Sequence, residues 1–170
     1  GVPCVQICEN LPFVDLTSEE RYRIGSTFGS SLEIETGFRG NTLGSIIKAL
    51  VATHEMGARA MRLIIDDIAV ANQGFDKVIR TMESIVPELE KYGVDLCIEN
   101  HFGLSPKKIR ELIEALDTDR VSVCFDCFNS IVLNIGVNEA LDVLLPFTTR
   151  MHVKDVEIKR SGTGFTITGC

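Results

Sequence analysis

Val94-Asp95-Leu96-Cys97-Ile98-Glu99 decides the fold, together with the two stretches that repeat it, Val121-Ser122-Val123-Cys124-Phe125-Asp126 and Arg150-Met151-His152-Val153-Lys154-Asp155. The first two are apolar runs of strand length that close on a carboxylate, and the third carries a histidine at the matching place. Glu99, Asp126 and His152 follow one another at intervals of 27 and 26 residues. That is the length of a strand, a loop, a helix and a return loop. In a parallel barrel such a repeat gathers the C-terminal ends of neighbouring strands at one mouth, where the active sites of such folds lie. Glu, Asp and His meeting there are ligand types for a divalent metal.

Strand parity supports this reading. Side chains alternate along a strand, so Cys97 shares a face with Glu99 and Cys124 with Asp126, small residues that suit a barrel interior. His152 shares its face with Arg150 and Lys154, a polar row that belongs toward a cavity rather than against helices. The competing reading makes Glu99 and Asp126 loop caps and His152 a satisfied core imidazole. It explains one such residue more easily than three in adjacent units.

Working outward, strand and helix alternate along the chain, the pattern of a parallel sheet covered by helices. Strands are expected at Val2–Cys8, Ser31–Thr36, Ala58–Ile65, Val94–Glu99, Val121–Asp126 and Thr149–Val156. Thr17-Ser18-Glu19-Glu20 reads as a capping box opening a helix to about Gly29. A second helix runs from Asn41 to Met56 and ends on Gly57. Phe75, Val78, Ile79, Met82, Ile85, Val86 and Leu89 form a helical stripe that Pro87 should kink or split, with Gly93 as its cap. Ser105 and Pro106 open a helix to Leu116, and another is expected over 138–145. Val156–Arg160 and Phe165–Thr168, joined through Ser161-Gly162-Thr163-Gly164, read as a hairpin. Six parallel-type strands fall short of a closed (β/α)8 barrel, which needs at least about 200 residues. No G-x-G-x-x-G follows a strand, which disfavours a doubly wound dinucleotide fold. The expected fold is thus an α/β (β/α)8 barrel with part of its chain absent, residues 1–170 forming a single domain.

Bulk properties narrow the function. The chain has 170 residues, 45% of them hydrophobic, and a net charge of −7. This is enough for one sizeable core. The acidic balance and the lack of a basic run argue against a nucleic-acid partner. No apolar run approaches the roughly 20 residues of a membrane helix, and nothing resembles a signal peptide, so the default localisation is cytoplasmic. Cys4 and Cys8 stand about 13 Å apart in an extended run, and Cys97 and Cys124 lie within apolar strands. Cys124 and Cys127 are three apart, on opposite faces of a strand, so the six cysteines read as reduced thiols rather than a disulfide framework.

Further candidates surround the three ligands. Glu35 ends its strand, and Arg62 lies 27 residues later inside an apolar one. A Glu35–Arg62 ion pair and direct substrate contact are equally open for these two. Asn129 is placed to hold a substrate hydroxyl or else to form a turn. His101 either lines the pocket or decorates a loop, and His54, on a helix, is assigned nothing.

Cys97-Ile98-Glu99-Asn100-His101, Phe125-Asp126-Cys127-Phe128-Asn129 and Met151-His152-Val153-Lys154-Asp155, in this order, resemble the sugar phosphate isomerase/epimerase branch of the xylose-isomerase-like barrels. Leu32-Glu33-Ile34-Glu35-Thr36-Gly37-Phe38-Arg39-Gly40 resembles that family's third strand, and Gln6 with Asn10 its second. The resemblance implies one strand–helix unit before Gly1 and a last strand after Cys170 bearing a fourth ligand, a Glu that is the second acid/base. Residues 1–170 alone are accordingly expected to be inactive. It implies Glu99 as ligand and catalytic acid/base, Asp126 and His152 as further ligands, and Asn129 and Lys154 orienting the substrate, with His101, Arg62 and Glu35 as the remaining candidates for substrate contact. The cofactor would be Mn²⁺ or Mg²⁺, with Zn²⁺ or Co²⁺ compatible with the histidine. The substrate would be a small sugar or sugar phosphate, isomerised or epimerised through an enediolate. A metal-dependent dehydratase or lyase and a non-catalytic sugar-binding barrel are the alternatives, and a homo-oligomer stays open.

Overall fold

The computed structural model describes residues 3–9, 11–29, 31–65 and 74–169. Val2 and Asn10, which figured in the expectations above, lie outside the described residues. Six parallel strands pair in sequence order: β1 (Cys4–Ile7), β2 (Glu33–Arg39), β3 (Ala60–Ile64), β4 (Asp95–Glu99), β5 (Val121–Asp126) and β6 (Thr148–His152). The helices between them are α1 (Ser18–Phe28), α2 (Leu43–Glu55), α3 (Phe75–Glu83), α4 (Val86–Tyr92), α5 (Pro106–Leu116), α6 (Cys127–Val132) and α7 (Val137–Leu144). An antiparallel hairpin, β7 (Val156–Ser161) with β8 (Gly164–Gly169), follows β6. Among the described residues no helix is long and apolar enough to cross a membrane.

Each strand divides its side chains between two environments. Met61, Leu63, Leu96, Ile98, Val123 and Phe125 point outward, where they pack with Ile46, Leu50, Met82, Leu89, Ile109 and Leu112 of the helices. Burying one such side chain contributes roughly 1.5–3 kcal/mol, so this layer supplies most of the stability. The alternate positions face inward. Ala60, Cys97 and Cys124 form a small apolar floor, with Arg62, Glu99 and Asp126 above it toward the C-terminal strand ends. Arg150 of β6 donates to Glu35 of β2 at 2.9 Å, and His152 of β6 meets Gln6 of β1 at 3.2 Å. The arc therefore curls far enough for side chains from its two ends to meet.

Local signals act as expected at several boundaries. Thr17 and Glu20 form the reciprocal capping box, and Gly57 and Gly93 have φ of 71° and 64°. Pro87 splits the expected long helix into α3 and α4. Three differences have a clear physical reason. The second strand does not stop at Gly37 but runs to Arg39, because Gly37 serves close packing and not a turn. A Cβ there would lie 2.7 Å from both Arg62 Nη2 and Cys8 Sγ, so glycine lets the guanidinium lie flat on the strand. The helix expected over 138–145 is preceded by α6, whose N-cap is Asp126 itself. The sixth strand ends at His152, and its register against β5 shifts between Val123 and Cys124. That irregularity lets Thr149 bond Ser122 Oγ at 2.7 Å while Arg150 still reaches Glu35.

Gly37→Ala is expected to push Arg62 away from Glu99 and cost about 1–3 kcal/mol through overpacking, read as a lower urea midpoint at unchanged m-value.

Candidate metal centre

Glu99, Asp126 and His152 end three adjacent strands, and one donor atom from each lies within 4.8 Å of the others. Asp126 is fully buried and Glu99 is 6% exposed. The imidazole Nδ1 lies 3.7 Å from Glu99 Oε2 and 3.8 Å from Asp126 Oδ2.

Each carboxylate uses one oxygen for structure and turns the other to the site. Asp126 Oδ1 accepts from the backbone amides of Phe128 at 2.9 Å and Asn129 at 3.3 Å, the first turn of α6. Its Oδ2 meets the Lys154 ammonium. Glu99 Oε1 accepts from Asn129 Nδ2 at 2.9 Å, while Oε2 faces His152 and, at 3.4 Å, Arg62 Nη1. Loop capping and site formation, set against each other in the sequence, are thus served by different oxygens of the same residues. Burial alone would raise the Asp126 carboxyl. Hydrogen bonds, the Asn129 amide among them, and the Lys154 ammonium outweigh burial and lower it from 3.8 to about 2. Asp126 is consequently an anion throughout the neutral range.

The remaining sequence candidates fall at different depths. Asn129 sits on α6, not in a turn, and its amide is committed to Glu99. Lys154 pairs with Asp126 and lies 5.9 Å from the Phe128 ring centroid. Arg62 does not pair with Glu35. It bonds Glu9 Oε2 at 2.9 Å and faces Glu99, whereas Glu35 takes Arg150. The reason is distance across the sheet: Gly37, not Glu35, lies in register with Arg62 on the neighbouring strand. Burial alone would lower the Arg62 guanidinium, but Cys8, Glu99 and Glu9 outweigh it and hold the group above its usual range. His101 lies near the rim, 3.3 Å from Arg39 Nη2. His54 bonds the Tyr92 carbonyl at 2.9 Å on the helical layer, away from the cluster. Burial pushes the Cys97 and Cys124 thiols up, which keeps them protonated beneath the site. The described cysteines are free.

Two site residues carried no sequence assignment. Asn100 is 2% exposed and grips the Asp126 backbone, accepting from its N–H at 2.6 Å and donating to its carbonyl at 2.9 Å. Its one signal was its place beside Glu99 at a strand end. Glu9 bridges Arg62 and, at 3.9 Å, Arg39, and nothing in its surroundings marked it.

The geometry suits a divalent cation. Two buried carboxylate oxygens and an imidazole nitrogen face one another, with the carboxylates already oriented by amide donors. The family model for the xylose isomerase-like TIM barrel matches residues 28–165. The chain is 21% identical to 3-oxo-isoapionate decarboxylase of Pectobacterium atrosepticum, over 100% of its own length and 62% of the relative's. It thus spans less than two thirds of that curated relative. A xylose isomerase-like TIM barrel protein from Mycobacterium smegmatis, solved in complex with magnesium, superposes with a TM-score of 0.76 at 14% identity, covering 100% of this chain and 68% of that one. D-psicose 3-epimerase from Clostridium cellulolyticum H10, solved with D-tagatose, gives a TM-score of 0.71 at 12% identity, covering 89% and 63%. At these identities the two superpositions describe a shared fold.

Two measurements check the site's construction. Asn100→Ala leaves the buried Asp126 N–H without its acceptor and is expected to cost about 1–3 kcal/mol by urea unfolding. Because folding lowers the Asp126 carboxyl to about 2 from 3.8, the stability it contributes is complete above the higher value and vanishes as pH falls toward the lower. The gap in urea midpoint between metal-free wild type and Asp126→Asn should therefore narrow below about pH 4.

Proposed function

The chain belongs to the xylose isomerase-like TIM barrel family, and we propose that within it this protein is a divalent-metal-dependent enzyme of the sugar isomerase/epimerase type. The observation that carries this reading is the convergence of Glu99, Asp126 and His152 on one point at the C-terminal strand ends. These three residues would hold the ion, with Mn²⁺ or Mg²⁺ best matched to two carboxylates and Zn²⁺ or Co²⁺ compatible with the imidazole. When bound, the ion supplies Lewis-acid polarisation of a substrate carbonyl and its neighbouring hydroxyl, which acidifies the C–H between them.

The chain's own residues do the rest. Glu99 accepts the proton from that carbon, its carboxylate held in place through Oε1 by Asn129. Return of a proton to the opposite face of the same carbon gives the epimer, and return to the neighbouring carbon gives the isomer. Lys154 places an ammonium beside Asp126, where it donates to a substrate oxygen and offsets the charge that develops there. Arg62 places its guanidinium 3.4 Å from the same carboxylate. The substrate is a small sugar or sugar phosphate, and residues 1–170 form part of a single barrel domain. Free thiols at the described cysteines accord with a reducing compartment such as the cytoplasm.

A second reading is favoured by the curated decarboxylase relative. Loss of carbon dioxide from a 3-oxo acid leaves the same kind of enolate as proton removal. A lyase would then use this site with Glu99 or water returning the proton.

The two readings separate in one experiment on the full-length protein with Mn²⁺. Solvent deuterium is followed into a panel of ketoses and ketose phosphates, and carbon dioxide is measured from 3-oxo sugar acids. Metal-dependent exchange that falls by about 10²–10⁴-fold in Glu99→Gln is expected. Carbon dioxide release without exchange would establish the lyase, and neither activity in a protein that binds no metal would leave a sugar-binding barrel.

A further inference from the structure

Gln6, on β1, lies among charged and titratable groups, and the two ends of its amide have different partners. Nε2 lies 3.5 Å from Glu35 Oε2. Oε1 lies 3.4 Å from Cys8 Sγ and 3.2 Å from His152 Nε2. Glu35 is the carboxylate that receives Arg150 Nε at 2.9 Å, so it only accepts, and the amide must turn its NH₂ toward it. The oxygen then faces Cys8 and His152, and an amide oxygen cannot donate. The hydrogen between Gln6 and His152 therefore belongs to the imidazole Nε2. A neutral imidazole has one ring hydrogen, so Nδ1 keeps its lone pair. That is the nitrogen facing Glu99 Oε2 and Asp126 Oδ2 at 3.7 and 3.8 Å.

We infer that Gln6 is a positioning residue that sets the tautomer of His152, holding its hydrogen on Nε2 and leaving the Nδ1 lone pair directed at Glu99 and Asp126. The inference deepens the metal reading, and rests on it for what that lone pair receives. The device is needed because the site works against itself. Two carboxylates beside Nδ1 attract a hydrogen to that atom, and a hydrogen there would occupy the direction in which a metal must be bound. Gln6 opposes this from the other side of the ring by giving Nε2–H an acceptor. Its amide is kept from turning over by Glu35, and Glu35 is held in place by Arg150. Arg150 and His152 stand two apart on β6, so one strand contributes both ends of the relay, and β1 and β2 contribute its middle.

The test is the ring-nitrogen spectrum of the metal-free, full-length protein labelled with ¹⁵N-histidine. It is recorded at pH 8.5, well above the ordinary imidazole range, and His152 is assigned with His152→Gln. The expected result is a hydrogen on Nε2 and an unprotonated Nδ1. Gln6→Met, of similar length but without an acceptor, should move the population toward Nδ1–H and weaken Mn²⁺ binding by 10–100-fold in equilibrium dialysis. Gln6→Glu keeps an acceptor toward Nε2 and should retain the wild-type tautomer. A hydrogen on Nδ1 in the wild type overturns the inference, and so does an unchanged tautomer in Gln6→Met. The wild-type spectrum decides even if Gln6→Met does not fold. A wild-type spectrum with Nε2–H that Gln6→Met shifts supports the inference even in a protein that binds no Mn²⁺, and in that case the metal reading fails by itself.

Discussion

A carboxylate enters the interior of a sheet only with positive charge in reach, because an uncompensated buried charge costs several kcal/mol. Arg62 and Arg150 meet that constraint here. Arg62, 5% exposed, stands between Glu99 and Glu9, and Arg150 stands on Glu35. Their placement in turn depends on the backbone. Arg62 lies flat because the opposing residue is Gly37, and Arg150 reaches Glu35 across an irregular register between β5 and β6. A missing side chain on β2 and an irregular register beside β6 are thus what set Arg62 against Glu99 and Arg150 against Glu35.

The amides perform the complementary task. An anion that is merely neutralised can rotate, whereas an anion with one oxygen anchored presents the other at a set angle. Asn129 anchors Glu99, the first turn of α6 anchors Asp126, and Asn100 holds the backbone on which Asp126 sits. Gln6 does the same for the imidazole. Four structural devices thereby serve three inward-facing atoms, the kind of support by which outer partners orient ligands.

What the sequence disclosed follows from the range of the interactions involved. The barrel repeat and the triad were legible because a period of two and a constant strand-to-strand interval are local properties of the chain. The capping box, Gly57, Gly93 and the split at Pro87 were legible for the same reason. The partner of Glu35 was not, since Arg150 lies 115 residues away and pairs with it only once the sheet has curled. Arg62 was marked as needing an anion, but which anion depended on the register between β2 and β3. The second strand was expected to end at Thr36, because what makes Gly37 a glycine is a side chain from another strand. Helix α6 was hidden because its N-cap, Asp126, had already been given a different duty, and one side chain performs both.

The triad alone does not choose a reaction. Proton abstraction and decarboxylation converge on an enolate, and both need a cation flanked by an anionic, oriented donor set. The choice depends on which substrate group is held over the site and from which side. Above the triad lie Glu9 and Arg39, each 40% exposed at the side chain, and His101, which come from the segment after β1, the last residue of β2 and the segment after β4. Glu9 links this rim to the interior, because it contacts both Arg39 and Arg62, and Arg62 in turn faces Glu99. The exposed rim and the buried carboxylate are therefore joined through one guanidinium.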